Sequence, residues 1–336
     1  MVAFGYTLMT EQAGPRELVD HAARAERAGF DFEVMSDHYF PWLDEQGHAP
    51  YAWSVLGAVS QVTERVELMT YVTCPIIRYH PAVVAQKAAT VQLLSDGRFT
   101  LGVGAGESLN EHVVGRGWPP VNVRHEMLDE ALQIITRLWD GGYVSHRGAH
   151  YTVDSAKIWD LPEQRPGLGV AVSGPQSVAL ATRHGAHLIS TEPVAALVDG
   201  FPADARKIGQ LPICWDPDRD AAIERAHRQF RWFAGGWKVN SELPGTAAFA
   251  GATRFIRPED VADNISCGPG TAVHVEAVQP FVDAGYTHVA LVQIGGDTQP
   301  EFLEWAQGDL LPALRDENRA RGMIEHRERG QAAQSL

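Results

Sequence analysis

The residues best suited to chemistry follow an apolar run near the start of the chain. Asp37 and His38 come directly after the run FDFEVMS, and Trp42 follows four residues after His38. An imidazole exchanges protons near neutral pH, so proton transfer beside an aromatic wall is the chemistry that this pattern favours. From the spacing alone, a surface loop with an incidental Asp-His pair is an equally good interpretation.

A second polar group follows the next apolar run. Residues 71–74 (YVTC) end that run, and Arg78 comes shortly afterwards. Nothing in the sequence marks a base paired with Cys74, so a cysteine nucleophile is not favoured. A structural interpretation, in which Pro75 shapes the turn and Arg78 is a solvated charge, is at least as good.

Regularly spaced glycines follow a further apolar run. Gly102, Gly104 and Gly106 precede Glu107, and such glycines let a backbone approach a flat ring or a phosphate closely. A dinucleotide fingerprint requires glycine where Glu107 stands and normally follows the first strand of its unit. The sequence therefore disfavours NAD binding.

A turn of small residues, SGPQS at 173–177, opens a later helix. The free N–H groups at the start of that helix could hold a phosphate. An ordinary helix start, with Pro175 at the first position, is an equally good interpretation.

Composition excludes several classes of function. A net charge of −14 argues against nucleic-acid binding, which requires clustered Lys and Arg. Three widely spaced cysteines fit a reducing compartment, and neither a signal peptide nor an apolar run of membrane-spanning length is present, so we expect a cytoplasmic protein with no membrane partner. The sequence has no HExxH and no tight cluster of His, Asp and Glu, so we predict no metal site; a metal-dependent barrel hydrolase is the alternative in another class.

Short apolar runs alternate with amphipathic stretches, which is the pattern of parallel strands joined by helices. We predict helices at 15–28 and 81–94, each opening on a proline. Eight such units close most simply into a (β/α)8 TIM barrel, and an open doubly wound sheet is the second choice. The predicted strands lie near residues 3–8, 30–36, 66–72, 98–104, 168–173, 187–191, 211–215 and 287–293.

The barrel is expected to form a single domain over residues 1–318. Two segments, at about 140–166 and 233–265, do not fit the repeat and are predicted to be insertions at the C-terminal mouth, where they can cover a ligand. Residues 319–336 are polar and are predicted to form a C-terminal tail.

Five segments in register resemble one known family. GYTLMTEQ, SDHYFPW, TYVTCPIIRYHPAVVAQ, LGVGAGESLNE and AVSGP resemble the F420-dependent glucose-6-phosphate dehydrogenase branch of the luciferase-like flavin and deazaflavin oxidoreductases. The resemblance implies a TIM barrel, usually homodimeric, with coenzyme F420 at the barrel mouth. It also implies hydride transfer between an alcohol or sugar-type small molecule and the C5 carbon of the deazaflavin.

The resemblance assigns roles to matching residues. It makes His38 the base, places Asp37 against the polar edge of the ring, and makes Trp42 a wall of the site. It places Glu107 near the ring nitrogen and makes the peptide between Tyr71 and Val72 a non-prolyl cis bond. The implied catalytic residues are His38, Glu107, Trp42 and Glu11, and the implied cofactor-binding residues are Asp37, Tyr71, Val72, Thr73, Cys74, Gly106, Glu107, Asn110, Ser173, Gly174 and Pro175.

The resemblance weakens where the related enzymes hold a substrate phosphate with lysines. Those places fall near residues 191–193 (TEP) and Asp263, which are acidic or neutral here. We therefore expect a substrate without a phosphate, although Lys238, Arg254 or Arg257 could replace the missing lysines. A sugar-phosphate dehydrogenase with a rearranged phosphate site and an FMN-dependent monooxygenase are the alternatives among enzymes, and a cofactor-binding module without turnover is the alternative in another class.

Overall fold

The computed structural model describes residues 2–320, and eight parallel strands within them close into a barrel. The closing contact joins the strand His187–Ser190 (β8) to the strand Lys207–Cys214 (β9), and the strand His288–Gln293 (β11) pairs with both β9 and the first strand, Ala3–Leu8 (β1). This confirms the (β/α)8 prediction, because an open doubly wound sheet would leave two unpaired edges. The barrel strands are β1 (Ala3–Leu8), β2 (Phe32–Met35), β3 (Glu67–Thr70), β4 (Phe99–Val103), β7 (Gly167–Ala171), β8 (His187–Ser190), β9 (Lys207–Cys214) and β11 (His288–Gln293).

Helices surround the barrel, and both predicted helices have the predicted bounds. Helix α1 begins at Pro15 and ends at Ala28, and the next residue, Gly29, has a φ of 99°, the left-handed conformation that glycine adopts most easily. The helices are α1 (Pro15–Ala28), α2 (Ala52–Val62), α3 (Pro81–Leu94), α4 (Ser108–Glu111), α5 (Val121–Trp139), α6 (Pro175–Arg183), α7 (Ala195–Val198), α8 (Arg219–Phe230), α9 (Trp237–Asn240), α10 (Thr246–Ala252), α11 (Pro258–Ala262), α12 (Thr271–Asp283) and α13 (Gln299–Trp305). Residues 311–320 are again helical. From residue 2 to residue 320, no helix is both long and apolar enough to cross a membrane.

The largest error in the predicted strands concerns β9. We predicted a strand at 211–215, but β9 begins at Lys207. Lys207 and Gln210 interrupt the apolar pattern at the start of β9, and polar residues at such a point are typical of a loop. In the structure the Lys207 ammonium is buried and donates to the carbonyls of Pro202 and Ala203 in the preceding loop, so local backbone contacts satisfy a charge that the sequence pattern places outside a strand.

The two predicted insertions have different structures. The first forms an antiparallel hairpin of β5 (Val144–Arg147) and β6 (Thr152–Ala156), beside α5. The second contains α9, α10 and α11 and leads into the short strand β10 (Ser266–Cys267), which pairs with β9. The predicted tail at 319–336 lies outside the described residues from 321 onwards, and the single-domain boundary stays a prediction.

Two apolar layers hold the barrel together. Inside it, residues such as Phe32, Val34 and Ile208 pack against each other, and a larger core fills the space between the strands and the helices. Strand residues alternate between these two layers because successive side chains point to opposite faces. The C-terminal end of the barrel carries both polar and aromatic residues.

Glu33 is an exception within the outer layer. It lies on β2, is 1% exposed, and neither carboxyl oxygen has a hydrogen-bond partner among the described residues. Burial, with the negative charge of Glu26 adding to it, raises the pKa of Glu33 well above its ordinary value. The carboxyl therefore favours its protonated form in the folded protein.

We expect Glu33→Met to stabilise the protein at neutral pH. In the unfolded chain Glu33 loses its proton above about pH 4.3, whereas in the folded chain it keeps the proton to a higher pH. The free energy of unfolding of the wild type therefore falls as the pH rises above about 4.3. The substitution removes an unpartnered polar group and raises the free energy of unfolding at pH 7 by roughly 1–3 kcal/mol. Urea unfolding from pH 4 to pH 8 measures both effects.

Glu276→Gln is the matched control, because Glu276 is exposed on α12. We expect it to leave the pH dependence of unfolding unchanged. A Glu33→Met variant with the wild-type stability and the wild-type slope would show that the buried carboxyl is satisfied.

Candidate active site

A cavity of about 690 Å³ opens at the C-terminal ends of the barrel strands. The loops after β1, β2, β3, β4, β7 and β8 contribute to its wall, together with the segment that follows α8. This is where TIM-barrel enzymes place their catalytic residues. The predicted site residues that line it are Glu11, Asp37, His38, Trp42, Tyr71, Val72, Cys74, Gly106, Glu107, Asn110 and Ser173.

His38 lies between two carboxylates. Its Nδ1 is 3.3 Å from Glu11 Oε1 and 3.1 Å from the carbonyl oxygen of Phe40, and its Nε2 is 3.8 Å from Glu107 Oε2. Both neighbours of Nδ1 are acceptors, so Nδ1 carries the proton of the neutral ring and Nε2 is the acceptor. The imidazole therefore presents a base on the side of Glu107.

Glu11 is held in place by hydroxyl groups. Its Oε2 accepts hydrogen bonds from Ser36 Oγ at 2.5 Å and from Thr10 Oγ1 at 3.1 Å, which leaves Oε1 facing His38. Glu11 is 1% exposed, so little water screens its charge from the imidazole. This carboxylate can orient His38 and stabilise its protonated form.

Glu107 has a pKa raised to about 7. Burial is the main cause, His38 opposes it, and the charges of Glu11 and Glu111 add to it. Asn110 donates from Nδ2 to Glu107 Oε2 at 3.3 Å, while its Oδ1 accepts the backbone N–H of Tyr39 at 2.8 Å. Asn110 thus joins the loop after β2 to the start of α4, and its amide is occupied by protein partners.

Asp37 is saturated by donors from the protein. Its Oδ2 accepts from Trp53 Nε1 at 3.1 Å and Thr73 Oγ1 at 2.8 Å, and its Oδ1 accepts from Tyr79 Oη at 3.1 Å and from Arg78 at 3.2 Å. A carboxylate offers about four acceptor positions, and all of them are used here. Asp37 borders the cavity as predicted, but its carboxylate binds the surrounding loops. Thr73, which the resemblance assigned to cofactor binding, is buried and is not among the residues that line the cavity.

The interpretation of Arg78 as a solvated charge is wrong. Its side chain is 6% exposed and lies between Asp37 and Glu111, with Nε 3.5 Å from Glu111 Oε1. Glu111 Oε2 accepts the backbone N–H of Arg78 at 2.6 Å, and burial raises the pKa of Glu111 to about 7 against the opposing charge of Arg78. Sequence reasoning missed both residues as part of the site, although Glu111 lies one helical turn after Glu107.

The predicted cis peptide is present. The bond between Tyr71 and Val72 is cis, and Tyr71 Oη donates to the Ser190 carbonyl at 2.8 Å across the cavity floor. Gly106 has a φ of 78°, and a Cβ atom added there would lie 2.3 Å from Cys74 Sγ. Glycine is therefore required at this point of the wall.

Two amides of the turn at 173–177 have a partner within the turn. The backbone N–H groups of Ser173 and Gly174 donate to Ser177 Oγ at 3.1 and 3.3 Å. Ser173 borders the cavity, whereas Gly174 and Pro175 are not among its lining residues. Ser177, which the sequence analysis did not select, lines it as well.

Aromatic side chains form one side of the cavity. Trp42 stacks on Trp232 with ring centroids 4.1 Å apart and an interplanar angle of 10°, and it meets Phe249 edge-on at 5.1 Å. The His38 ring lies 4.9 Å from Trp42, so the imidazole is next to this aromatic wall. The resemblance predicted that Trp42 forms a wall of the site. It did not predict Trp232, which is distant in the chain and does not belong to any of the five matching segments.

The charged residues of the outer cavity differ from those expected. Glu192 and Lys238 both line it, but Asp263 is exposed near the end of α11 and is not among the lining residues. Our expectation that Asp263 faces a substrate phosphate is therefore wrong, because α11 packs on α8 and not over the barrel mouth. Arg254 and Arg257 are likewise outside the wall, which leaves Lys238 as the remaining candidate of the three.

Residues 2–288 match the luciferase-like monooxygenase family. The chain belongs to this family. Among its relatives, an F420-dependent glucose-6-phosphate dehydrogenase of Microbacterium testaceum is 36% identical, with 93% of this chain and 97% of the relative covered. An F420-dependent hydroxymycolic acid dehydrogenase of Mycobacterium tuberculosis is 35% identical, with 93% and 88% covered. These findings confirm the resemblance that the five sequence segments indicated.

The fold of this chain is also similar to that of a solved structure. An F420-dependent secondary alcohol dehydrogenase in complex with an F420-acetone adduct superimposes with a TM-score of 0.84. It is 27% identical in sequence, and the match covers 93% of this chain and 99% of that one.

We expect Asp37→Asn to destabilise the fold. An amide cannot neutralise Arg78, and removing one partner of a buried ion pair costs about 3 kcal/mol or more. Equilibrium unfolding in urea measures the loss. Asp263→Asn, at an exposed position, is the control and should change the free energy of unfolding by no more than about 0.5 kcal/mol. Equal effects of the two substitutions would contradict a structural role for the Asp37 charge.

Proposed function

We propose that this protein is an F420-dependent oxidoreductase that oxidises a non-phosphorylated alcohol or reduces the corresponding carbonyl compound. The observation that carries the proposal is the orientation of His38, whose Nδ1 faces acceptors of the protein and whose Nε2 lies on the side of Glu107, in a cavity walled by Trp42 and Trp232. Relatives that share about a third of its residues are named for F420, which supports F420 over FMN as the cofactor. We also propose that it is a homodimer, as the resemblance implies, and that it is cytoplasmic, as its three widely spaced cysteines indicate.

The cavity fits a flat ring carrying a tail. Its volume lies within the range of about 300–1,000 Å³ typical of cofactor sites. The cis Tyr71–Val72 peptide and residues 104–106 (GAG) form one surface of the cavity. Residues 104–106 have small side chains or none, and Gly106 has no room for a Cβ atom. We assign Val72, Ala105 and Gly106 to holding the ring. When bound, the deazaflavin supplies a carbon atom, C5, that can accept a hydride.

His38 is the base in the proposed reaction. Its Nε2 accepts the proton of the substrate hydroxyl, and the resulting imidazolium is stabilised by Glu11 at 3.3 Å. Glu107, with a pKa of about 7, exists in both protonation states near neutral pH. Its neutral form donates a hydrogen bond into the cavity, and its ionised form adds to the stabilisation of protonated His38.

The aromatic wall supports an apolar substrate. Trp42, Trp232 and Phe230 exclude water beside His38. Phe230 has no polar atom, and Trp232 Nε1 already donates to the Gln229 carbonyl, so neither offers a hydrogen bond to the hydroxyl groups of a sugar. Glu192 at the outer wall repels a phosphate. A sugar phosphate is the second candidate, because Lys238 lines the same cavity and one relative is named for glucose 6-phosphate.

His38→Ala should lower kcat by roughly 100-fold or more, because a positioned general base contributes about that factor. Affinity for F420 should change little, since the imidazole is assigned to the substrate proton. Stopped-flow F420 reduction and fluorescence titration measure the two quantities. His48→Ala, at an exposed position outside the cavity, should retain the wild-type kcat. Retained turnover in His38→Ala would exclude His38 as the base.

Substrate preference tests the proposal directly. With F420 as acceptor, kcat/KM for an apolar secondary alcohol such as cyclohexanol should exceed that for glucose 6-phosphate by about 30-fold or more, the value of a missing charged contact to phosphate. NADP and FMN should not replace F420. Preference for glucose 6-phosphate that disappears in Lys238→Ala would establish the second candidate, and turnover with FMN alone would overturn the cofactor assignment.

A further inference from the structure

Two buried cysteines outside the proposed reaction lie directly opposite each other. Cys267 on β10 is in register with Cys214 on β9, so both side chains project from the same face of the sheet. Neighbouring strands are about 4.8 Å apart, which lies within the Cα separation of about 4.4–6.8 Å that a disulfide spans. Both thiols are free in this structure.

We propose that Cys214 and Cys267 are a redox modification site that forms a reversible disulfide when the protein meets a hydroperoxide. The two residues differ in accessibility: Cys267 is 8% exposed, and Cys214 is fully buried. Cys267 is therefore the thiol that a dissolved oxidant reaches, and Cys214 reacts only with the sulfur of Cys267. The pair stands apart from Cys74, which borders the active-site cavity alone.

The surroundings favour a thiolate at Cys267. The neighbouring Cys214 lowers the pKa of Cys267 against the effect of burial, and the charges of Arg219 and Arg225 add to the lowering. The neighbouring Cys267 and burial raise the pKa of Cys214. Each thiol also contacts a backbone carbonyl, Cys267 that of Ile265 at 3.3 Å and Cys214 that of Ile294 at 3.8 Å. Arg225 lies 3.9 Å from Cys214 Sγ, so a guanidinium is present beside the sulfurs.

The chemistry balances in two steps. The Cys267 thiolate attacks one oxygen of hydrogen peroxide, the O–O bond breaks, and a sulfenic acid and hydroxide form. The Cys214 thiol then attacks the sulfenic sulfur, the S–O bond breaks, and the oxygen leaves as water with the Cys214 proton. The proton that Cys267 released when it ionised neutralises the hydroxide of the first step. Two thiols are oxidised to one disulfide, and one peroxide is reduced to two molecules of water.

The disulfide would join β10 to β9 and close a loop over residues 215–266. That loop carries α8 to α11 and includes Phe230 and Trp232 of the cavity wall. A cross-link across so long a loop restricts the unfolded chain, so the oxidised protein should melt roughly 5 °C higher than the reduced one. Dithiothreitol should reverse the shift.

The test uses the full-length protein treated with a small excess of hydrogen peroxide. We expect the intact mass to fall by two hydrogen atoms and a non-reducing peptide map to show the Cys214 peptide joined to the Cys267 peptide. A map in which peroxide leaves both peptides separate, or in which Cys74 is the oxidised residue, would overturn the proposal. This wild-type measurement does not depend on the folding of any variant.

Two serine variants identify the residue that reacts first. Cys214→Ser should accumulate a sulfenic acid at Cys267 that dimedone traps, because the second thiol is missing. Cys267→Ser should show no dimedone label at Cys214, which is sealed from solvent. Labelling of Cys214 in Cys267→Ser at the rate of Cys267 in the other variant would contradict the assigned order of attack.

Discussion

The carboxylate of Asp37, together with its ion-pair partner Arg78, holds together the segments that follow β2, β3 and β4. It accepts hydrogen bonds from Thr73, Arg78 and Tyr79 of the loop after β3, while it stands itself in the loop after β2. Arg78 then reaches Glu111 at the end of α4, after β4. Because removing one partner from such a buried ionic network leaves an uncompensated charge, the positions of His38 and of the cavity floor depend on it.

Acidic groups are concentrated at the barrel mouth, and burial decides how each behaves. Asp37 has four donors, whereas Glu107 and Glu111 have fewer partners and pKa values raised to about 7. Burial thus raises the pKa of the two carboxyl groups that have fewer partners, so these two can exchange protons near neutral pH, whereas the Asp37 carboxylate binds the surrounding loops. His38 lies where the two kinds meet, with Glu11 on one side and Glu107 on the other.

The number and order of the barrel strands followed from apolar runs separated by helical periods, since both patterns are local. Helices α1 and α3 could be bounded because a proline opens each one, and the start of β9 could not, because Lys207 and Gln210 interrupt its apolar pattern. The cis bond at Tyr71–Val72 and the positions of Trp42, Gly106 and Glu107 came from motif resemblance, which reports a shared local structure.

The sequence by itself determined the barrel, the family and the strand ends at which the polar residues stand. Only the tertiary structure decided that Asp37 is saturated by protein donors, that Arg78 is buried, that Trp232 stacks on Trp42, and that Asp263 lies away from the cavity. Each of these depends on contacts between residues far apart in the chain. Spacing along the sequence can place a residue at a strand end, but it does not specify which distant side chains satisfy its charge or cover its ring.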